Sequence, residues 1–227
     1  YRSIAAKVNY LGMDSPHLQY SAKATSQEMA NPTRGSWKRL KRLARFILGI
    51  KRASWVYVFQ EEPSVADVYV DSDWGGTSRD RRSTSGGAFM LGSHCLKTWS
   101  STQHAIALSS AEAELYGMVE GVTRSRGLLD LVVELGMTGL SPNMRVWTDS
   151  AAAKSFVSRH GTGRMRHLQI RDLWLQKEVA DGRITCLKIP GHENPADLMT
   201  KSLGLSDIRS RLDCLGIKLE FLDGSIF

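Results

Sequence analysis

Four carboxylates in this chain occupy positions from which they could converge. Asp71 ends the apolar run Val68-Tyr69-Val70, and Glu114 lies within Ser109-Ser110-Ala111-Glu112-Ala113-Glu114-Leu115-Tyr116. Asp149 closes Val146-Trp147-Thr148, and Asp197 stands in Asn194-Pro195-Ala196-Asp197. Acids at strand ends and on helix faces can meet at one edge of a sheet, where their mutual repulsion calls for a positive partner. Divalent ions suit that role, and Mg²⁺ takes hard oxygen ligands without a histidine or cysteine cage. Two ions roughly 3.5–4 Å apart supply an activated water, neutralise phosphoryl charge and hold a leaving oxygen. The implied chemistry is metal-dependent phosphoryl transfer, with two Mg²⁺ ions and Mn²⁺ as a substitute. Asp71 is expected to bridge both ions, Glu114 and Asp149 to share one, and Asp149 or Asp197 to help hold the other.

Each acid also has a structural explanation. Asp73 shares a strand face with Asp71 and competes with it as ligand. Glu112 stands three residues after Ser109, the spacing of a capping box, which leaves Glu114 for chemistry. Asp149 could serve a turn, and Asp197 could oppose a helix dipole.

The elements that must position these acids follow from periodicity. Residues 1–50 read as helical, with Ser36 as the cap of a helix stopped by Gly49. In it Trp37, Leu40, Leu43, Ala44 and Ile47 form an apolar face, while Lys38, Arg39, Lys41, Arg42 and Arg45 cover the remainder. Strands are expected at 55–59, 65–70, 87–91 and 95–100, where β-branched and aromatic residues gather. A helix follows from Ser109 to about residue 135, with a break near Gly127, and then a strand at 144–148 with a helix after Ser150. Beyond these come a helix at 168–180, a strand at 183–189 and a helix from Asn194 with Pro195 in its first position. Early consecutive strands favour a meander and later alternation favours parallel crossovers, so the fold class is α/β with a mixed sheet.

Bulk composition narrows the function. The chain of 227 residues is 42% hydrophobic and 23% charged, as soluble globular proteins are. No apolar run approaches the roughly 18 residues of a membrane span, so no membrane partner is expected. Cys95, Cys186 and Cys214 form no CxxC pair, which favours a reducing compartment over a disulfide framework. Tyr1 is not followed by a signal-peptide core, and the chain reads as a piece of a longer polypeptide in an intracellular setting, a cytoplasmic particle or the nucleus. The net charge of +7 is uneven: residues 1–52 hold 11 Lys/Arg against 2 Asp/Glu, and the rest hold 19 against 21. A basic flank beside a near-neutral body is suited to a polyanion.

Six strings in order carry a resemblance. Tyr69-Val70-Asp71-Ser72-Asp73-Trp74, Asp80-Arg81-Arg82-Ser83-Thr84-Ser85-Gly86 and Ala107-Leu108-Ser109-Ser110-Ala111-Glu112-Ala113-Glu114 resemble the ribonuclease H region of copia-type long-terminal-repeat retrotransposon polyproteins. Trp147-Thr148-Asp149-Ser150, Arg166-His167-Leu168-Gln169-Ile170-Arg171 and Ala196-Asp197-Leu198-Met199-Thr200-Lys201 do likewise. Residues 1–52 resemble the segment that joins the reverse transcriptase to that region. The resemblance implies a ribonuclease H-like fold, a five-stranded mixed sheet flanked by helices and preceded by a basic helical segment. It divides the chain into a connection segment (1–54), a ribonuclease H-like domain (55–204) and a tail of unassigned role (205–227). It implies hydrolysis of the RNA strand of RNA/DNA hybrids during reverse transcription, with the polymerase domain of the same polyprotein as partner. Asp71, Glu114, Asp149 and Asp197 would be the catalytic metal ligands, Asp71 being preferred to Asp73 because a small residue follows it.

The resemblance would make His192 the counterpart of a mobile loop histidine that in related enzymes precedes the last acid by a longer loop; here only four residues separate it from Asp197, so a neutral loop histidine competes with a proton shuttle. Nucleic-acid contacts are expected from Arg81, Arg82, Ser83 and Thr84, and from Arg164, Arg166, His167 and Arg171. Two other functions compete with this one. A catalytically silent module of the same fold could bind hybrid or support a polymerase, but keeping four clustered acids argues against it. A transposase or integrase core would place its glutamate last, whereas here it comes second.

Overall fold

In the computed structural model, residues 1–76, 80–137, 139–161 and 170–222 are described. Three helices lead: α1 (Arg2–Gly12), α2 (Pro16–Ser26) and α3 (Arg34–Gly49). A strand, β1 (Ile50–Trp55), precedes the meander β2 (Ala66–Asp73), β3 (Thr84–Leu91) and β4 (His94–Thr102). Then come α4 (Ser110–Glu134), β5 (Met144–Thr148), α5 (Ala151–Val157), α6 (Ile170–Ala180) and β6 (Ile184–Lys188). A single 3-10 turn (Gly191–Glu193), α7 (Asp197–Thr200), α8 (Leu205–Cys214) and β7 (Ile217–Phe221) complete the described chain. Among the described residues no helix is long and apolar enough to cross a membrane.

Five strands form one mixed sheet in the order β4-β3-β2-β5-β6, with β2–β3 and β3–β4 antiparallel and β2–β5 and β5–β6 parallel. This is the ribonuclease H-like α/β arrangement, and it places β2 at the centre. Alternation along β2 sends Ala66, Val68 and Val70 into a core with Leu115, Met118 and Val122 of α4 and Phe156 of α5. The odd positions face the opposite side, where Tyr69 packs against a second core of Met199, Leu212, Leu215 and Ile217. Both faces of the sheet are therefore covered, and every residue of β3 is buried.

Double coverage explains why β3 begins at Thr84 and not at 87 as expected. Its first half, Thr84-Ser85-Gly86-Gly87, lacks the bulky residues that mark a strand. A Cβ on Gly86 would lie 2.8 Å from Met199 Cβ of α7, and one on Gly87 would lie 2.2 Å from the Trp99 ring and 2.7 Å from Tyr69 O. Small residues there let a helix and a neighbouring ring come close. Gly127, by contrast, does not break α4, because an exposed helical glycine weakens a helix without ending it.

The strand expected at 55–59 instead occupies 50–55, and Phe59 is exposed. Its partner decides this: β1 pairs antiparallel with β7 in a separate two-stranded sheet, with Ala53 opposite Leu219 and Trp55 opposite Ile217. The cap of α3 also moves, from Ser36 to Thr33, whose side chain accepts from the Ser36 N–H while Ser36 Oγ accepts from the Thr33 N–H. Ser36 is thus the third helical residue of a reciprocal box and not its cap. Pro195 does not open a helix; α7 begins at Asp197. The helices α1–α3 share a small core of Val8, Leu18, Ala22, Leu40 and Leu43. They reach the sheet through α2 and its C-terminal cap: Gln19 Nε2 of the helix donates to Thr98 O at 3.3 Å, and Gln27 Nε2 of the cap to Thr102 Oγ1 at 2.7 Å.

Replacing Gly87 by alanine should cost about 1–3 kcal/mol, because one of its clashes is with backbone that cannot yield. Gly127→Ala, in open space, should gain about 0.5–1 kcal/mol. Urea unfolding midpoints of the two variants check both signs, and a neutral Gly87→Ala would contradict the tight β2–β3–β4 packing.

Candidate active site

Asp71 lies in β2 one residue beyond Val70, where the sheet ends its apolar register, and it is 2% exposed. Glu114 belongs to the second turn of α4, whose start is fixed by Ser109 accepting from the Glu112 N–H. Glu112 is not available for chemistry, since its carboxylate accepts from the Leu108 N–H and from the Tyr116 hydroxyl. Two glycines one turn apart bring α4 down onto β2: a Cβ on Gly117 would lie 2.3 Å from Ser72 Oγ, and one on Gly121 would lie 2.4 Å from Val70 Cγ1. That approach delivers Glu114 to the end of β2. Asp149 follows β5 directly, held between Thr148 and Ser150, the cap of α5.

One carboxylate oxygen from each of Asp71, Glu114 and Asp149 lies within 4.8 Å of the other two. Asp73 is outside this group. Asp67, another acid of β2, is neutralised at the far end by Arg145, whose Nε is 2.7 Å away, and accepts a hydrogen bond from Trp147 Nε1 at 2.6 Å. Asp197 adjoins the triad without joining it. Lys201 Nζ lies 2.7 Å from Asp197 Oδ1 and 3.7 Å from Asp71 Oδ2, while Arg211 Nη2 holds Asp197 Oδ2 at 3.1 Å. Thr200 donates its hydroxyl to Asp71 Oδ2.

Electrostatics follow from this geometry. Burial pushes Asp71 up to about 6, with Asp197 and Asp149 adding to the rise and Lys201 and Thr200 opposing it. Burial likewise pushes Glu114 up to about 9, helped by Asp71 and Asp149 and resisted by a hydrogen bond from the Ser72 backbone. Asp149 is raised by burial and then by Asp197. Glu114 Oε2 is buried with no hydrogen-bond partner among the described residues. A cluster of hard oxygens, short of positive charge and with one oxygen unpaired, fits a divalent ion.

The remaining expected residues fall variously. His192 sits in the 3-10 turn with its side chain 80% exposed, next to Gly191, whose added Cβ would lie 3.0 Å from Asp149 Oδ2. Arg81 and Arg82 are exposed at the start of β3. Ser83 and Thr84, expected to meet nucleic acid, are buried instead: Ser83 Oγ accepts from the Gly75 N–H, and Thr84 Oγ1 accepts from Lys23. Arg164, Arg166 and His167 lie outside the described residues, as does the side chain of Arg171.

No family model matches. The chain is 28% identical over 206 residues to "Retrovirus-related Pol polyprotein from transposon RE2" of Arabidopsis thaliana, covering 89% of this chain and 14% of that protein. It is 26% identical over 220 residues to the corresponding transposon RE1 polyprotein of the same plant, covering 96% and 15%. These relatives are Pol polyproteins of copia-type retrotransposons, and the chain is similar to one stretch of them. It spans about a seventh of the length of these curated relatives. The solved ribonuclease H1 of Halobacterium salinarum NRC-1 matches 60% of this chain and 93% of its own at 13% identity, with a TM-score of 0.41.

Four residues of the chain that contact the site were not singled out in its sequence. Thr200 and Lys201 stand in the last recognisable string, so their proximity to Asp197 was the available signal. Asn194 is fully buried, donates to Val70 O at 2.9 Å and accepts from the Ala196 N–H, tying the last loop to β2. Arg211 comes from α8, outside every recognisable string, and binds the carbonyls of Gly191 and His192 as well as Asp197. No sequence pattern marked it.

An acid with a raised pKa takes up protons on folding, so its penalty is absent below the unfolded value and complete above the folded one. For Glu114 that window runs from 4.5 to about 9. Without divalent ions the stability of the chain should therefore fall as pH rises through this range. Glu114→Gln should flatten the slope, and added Mg²⁺ should raise the unfolding temperature most at the alkaline end. Thermal unfolding in EDTA and in Mg²⁺ across the range measures both, and a slope unchanged in Glu114→Gln would refute the assignment.

Proposed function

We propose that this chain is the ribonuclease H module of a retrotransposon Pol polyprotein, a metal-dependent endonuclease that hydrolyses the RNA strand of RNA/DNA hybrids. The observation that carries the proposal is the meeting of Asp71, Glu114 and Asp149 within 4.8 Å at the end of the central strand. Kinship with transposon Pol polyproteins supports the substrate class, since copying RNA into DNA generates hybrids.

Asp71, Glu114 and Asp149 would hold one ion, and Asp71 with Asp197 would offer oxygens to a second. Bound Mg²⁺ ions supply an activated water and stabilise charge on the phosphoryl and leaving oxygens. The residues of the chain fix where that happens. Gly117 and Gly121 set the depth of Glu114, and Thr200 fixes the rotamer of Asp71 through its hydroxyl. Arg211 clamps Asp197 and the loop carrying His192, so the acid and the loop keep a common position. His192, exposed in the turn that follows Gly191, would carry a proton to or from product oxygens. Arg81 and Arg82 would meet phosphates, and the same role is proposed for Arg164, Arg166 and Arg171 from their sequence alone. The basic face of α3 (Lys38, Lys41, Arg42, Arg45) would extend the track for the duplex, on the side where the polymerase region of the same polyprotein would join.

Labelled RNA in a hybrid should be cut in Mg²⁺ or Mn²⁺ and left intact in EDTA. Asp149→Asn should lower the cleavage rate by at least ~10²-fold, comparable to losing a main stabiliser of transition-state charge, while hybrid binding persists. Undiminished cutting by that variant would discard the metal-site assignment. A folded parent chain that binds hybrid without cutting it would favour a silent binding module.

A further inference from the structure

The turn α7 does more than present Asp197. Three consecutive features of it converge on the same oxygens. Asp197 opens the turn, Thr200 donates to Asp71 Oδ2, and Lys201 places its ammonium 2.7 Å from Asp197 Oδ1 and 3.7 Å from Asp71 Oδ2. The gap between Asp71 and Asp197, where a second divalent ion would find its protein oxygens, is thus filled by a cation of the chain itself.

The two cations that hold Asp197 are not alike. The Arg211 side chain is 8% exposed and is tied to two backbone carbonyls as well as to Asp197 Oδ2, so it is fixed. The Lys201 side chain is 43% exposed, sits on a flexible four-carbon stem and directs its charge only at carboxylates. It can therefore withdraw into water, provided that an incoming cation takes over the buried carboxylates it leaves. Arg211 leaves one face of Asp197 permanently engaged, and Lys201 leaves the other conditionally so.

We propose that Lys201 is a resident, exchangeable counter-cation for the second ion position. The Asp71–Glu114–Asp149 group loads a divalent ion first, and a second ion enters between Asp71 and Asp197 only by displacing the Lys201 ammonium. This rests on the proposed metal-dependent function and adds to it an order of loading. A cell with scarce free Mg²⁺ would then hold the site charge-balanced with one ion and hydrolytically restrained.

Two measurements on the whole chain test this. Mn²⁺ binding is followed by the paramagnetic resonance of the free ion, for the parent, Lys201→Met and Lys201→Arg. Groups that hold metal ligands from the outer shell typically change metal affinity by about 10–100-fold when replaced. Lys201→Met should accordingly tighten the second, weaker ion at least ~10-fold and leave the first unchanged, while Lys201→Arg keeps the parental pattern. The parent chain is also labelled with an amine-reactive ester, and modification of Lys201 is read by mass spectrometry, so that the result does not depend on any variant folding. Labelling should rise over the Mn²⁺ concentrations that fill the second position and stay flat over those that fill the first. A second-ion affinity unaltered in a folded Lys201→Met, or Lys201 labelling indifferent to Mn²⁺, overturns the inference while leaving the metal site standing. A parent chain that binds no Mn²⁺ at all overturns the proposed function itself, and the loading order with it.

Discussion

Gathering carboxylates out of water is the constraint on which the surrounding structure depends. Each acid loses hydration, and each raises the energy of the others, so the cluster opposes folding unless cations are supplied. The protein meets part of that need itself. Lys201 and Arg211 neutralise Asp197, Lys201 reaches Asp71, and the Ser72 backbone donates to Glu114. The triad of Asp71, Glu114 and Asp149 is left with more negative charge than its neighbours balance, and Glu114 stands furthest from its ordinary state. A site built this way is short of positive charge.

The packing has to tolerate this and position it too. Two apolar cores, one on each face of the sheet, hold β2 rigid from both sides. Close approach does the rest: Gly117 and Gly121 seat α4 against β2, and Gly86 seats α7 against β3. Small residues at these three positions let the elements come near enough for carboxylate oxygens of Asp71, Glu114 and Asp149 to lie within 4.8 Å of one another. Strain from misfit there would be felt at the acids before it was felt in the global fold.

Much of this was legible in the sequence, for identifiable reasons. Strand β5 was expected at 144–148 and is found there, because Met144-Arg-Val-Trp-Thr148 alternates cleanly and turn residues bound it. The start of α4 was readable from Ser109 and Glu112, which carry their own local chemistry. The convergence of Asp71, Glu114 and Asp149 was readable because strand ends and helix starts are local features that a sheet must collect at one edge. What resisted reading was non-local. Strand β1 takes its register from a partner more than 160 residues away, and β3 hides its first half because a helix and a tryptophan ring demand small residues. Ser83 and Thr84 look like exposed loop residues in sequence, yet the covering of β3 from both sides buries them. Arg211 has no local signature at all, since its value comes only from where α8 docks.

The pairing of β1 with β7 gives the molecule a clasp that joins its first third to its last strand. Between those partners, α8 carries the arginine that steadies Asp197 and the adjacent loop. A fragment that stopped at the last recognisable string would keep all four acids and lose both the clasp and that steadying hand. Anchorage of the helical leader and alignment of the fourth acid are therefore inherited as a single mechanical unit, so a protease nick near residue 204 would loosen the two together.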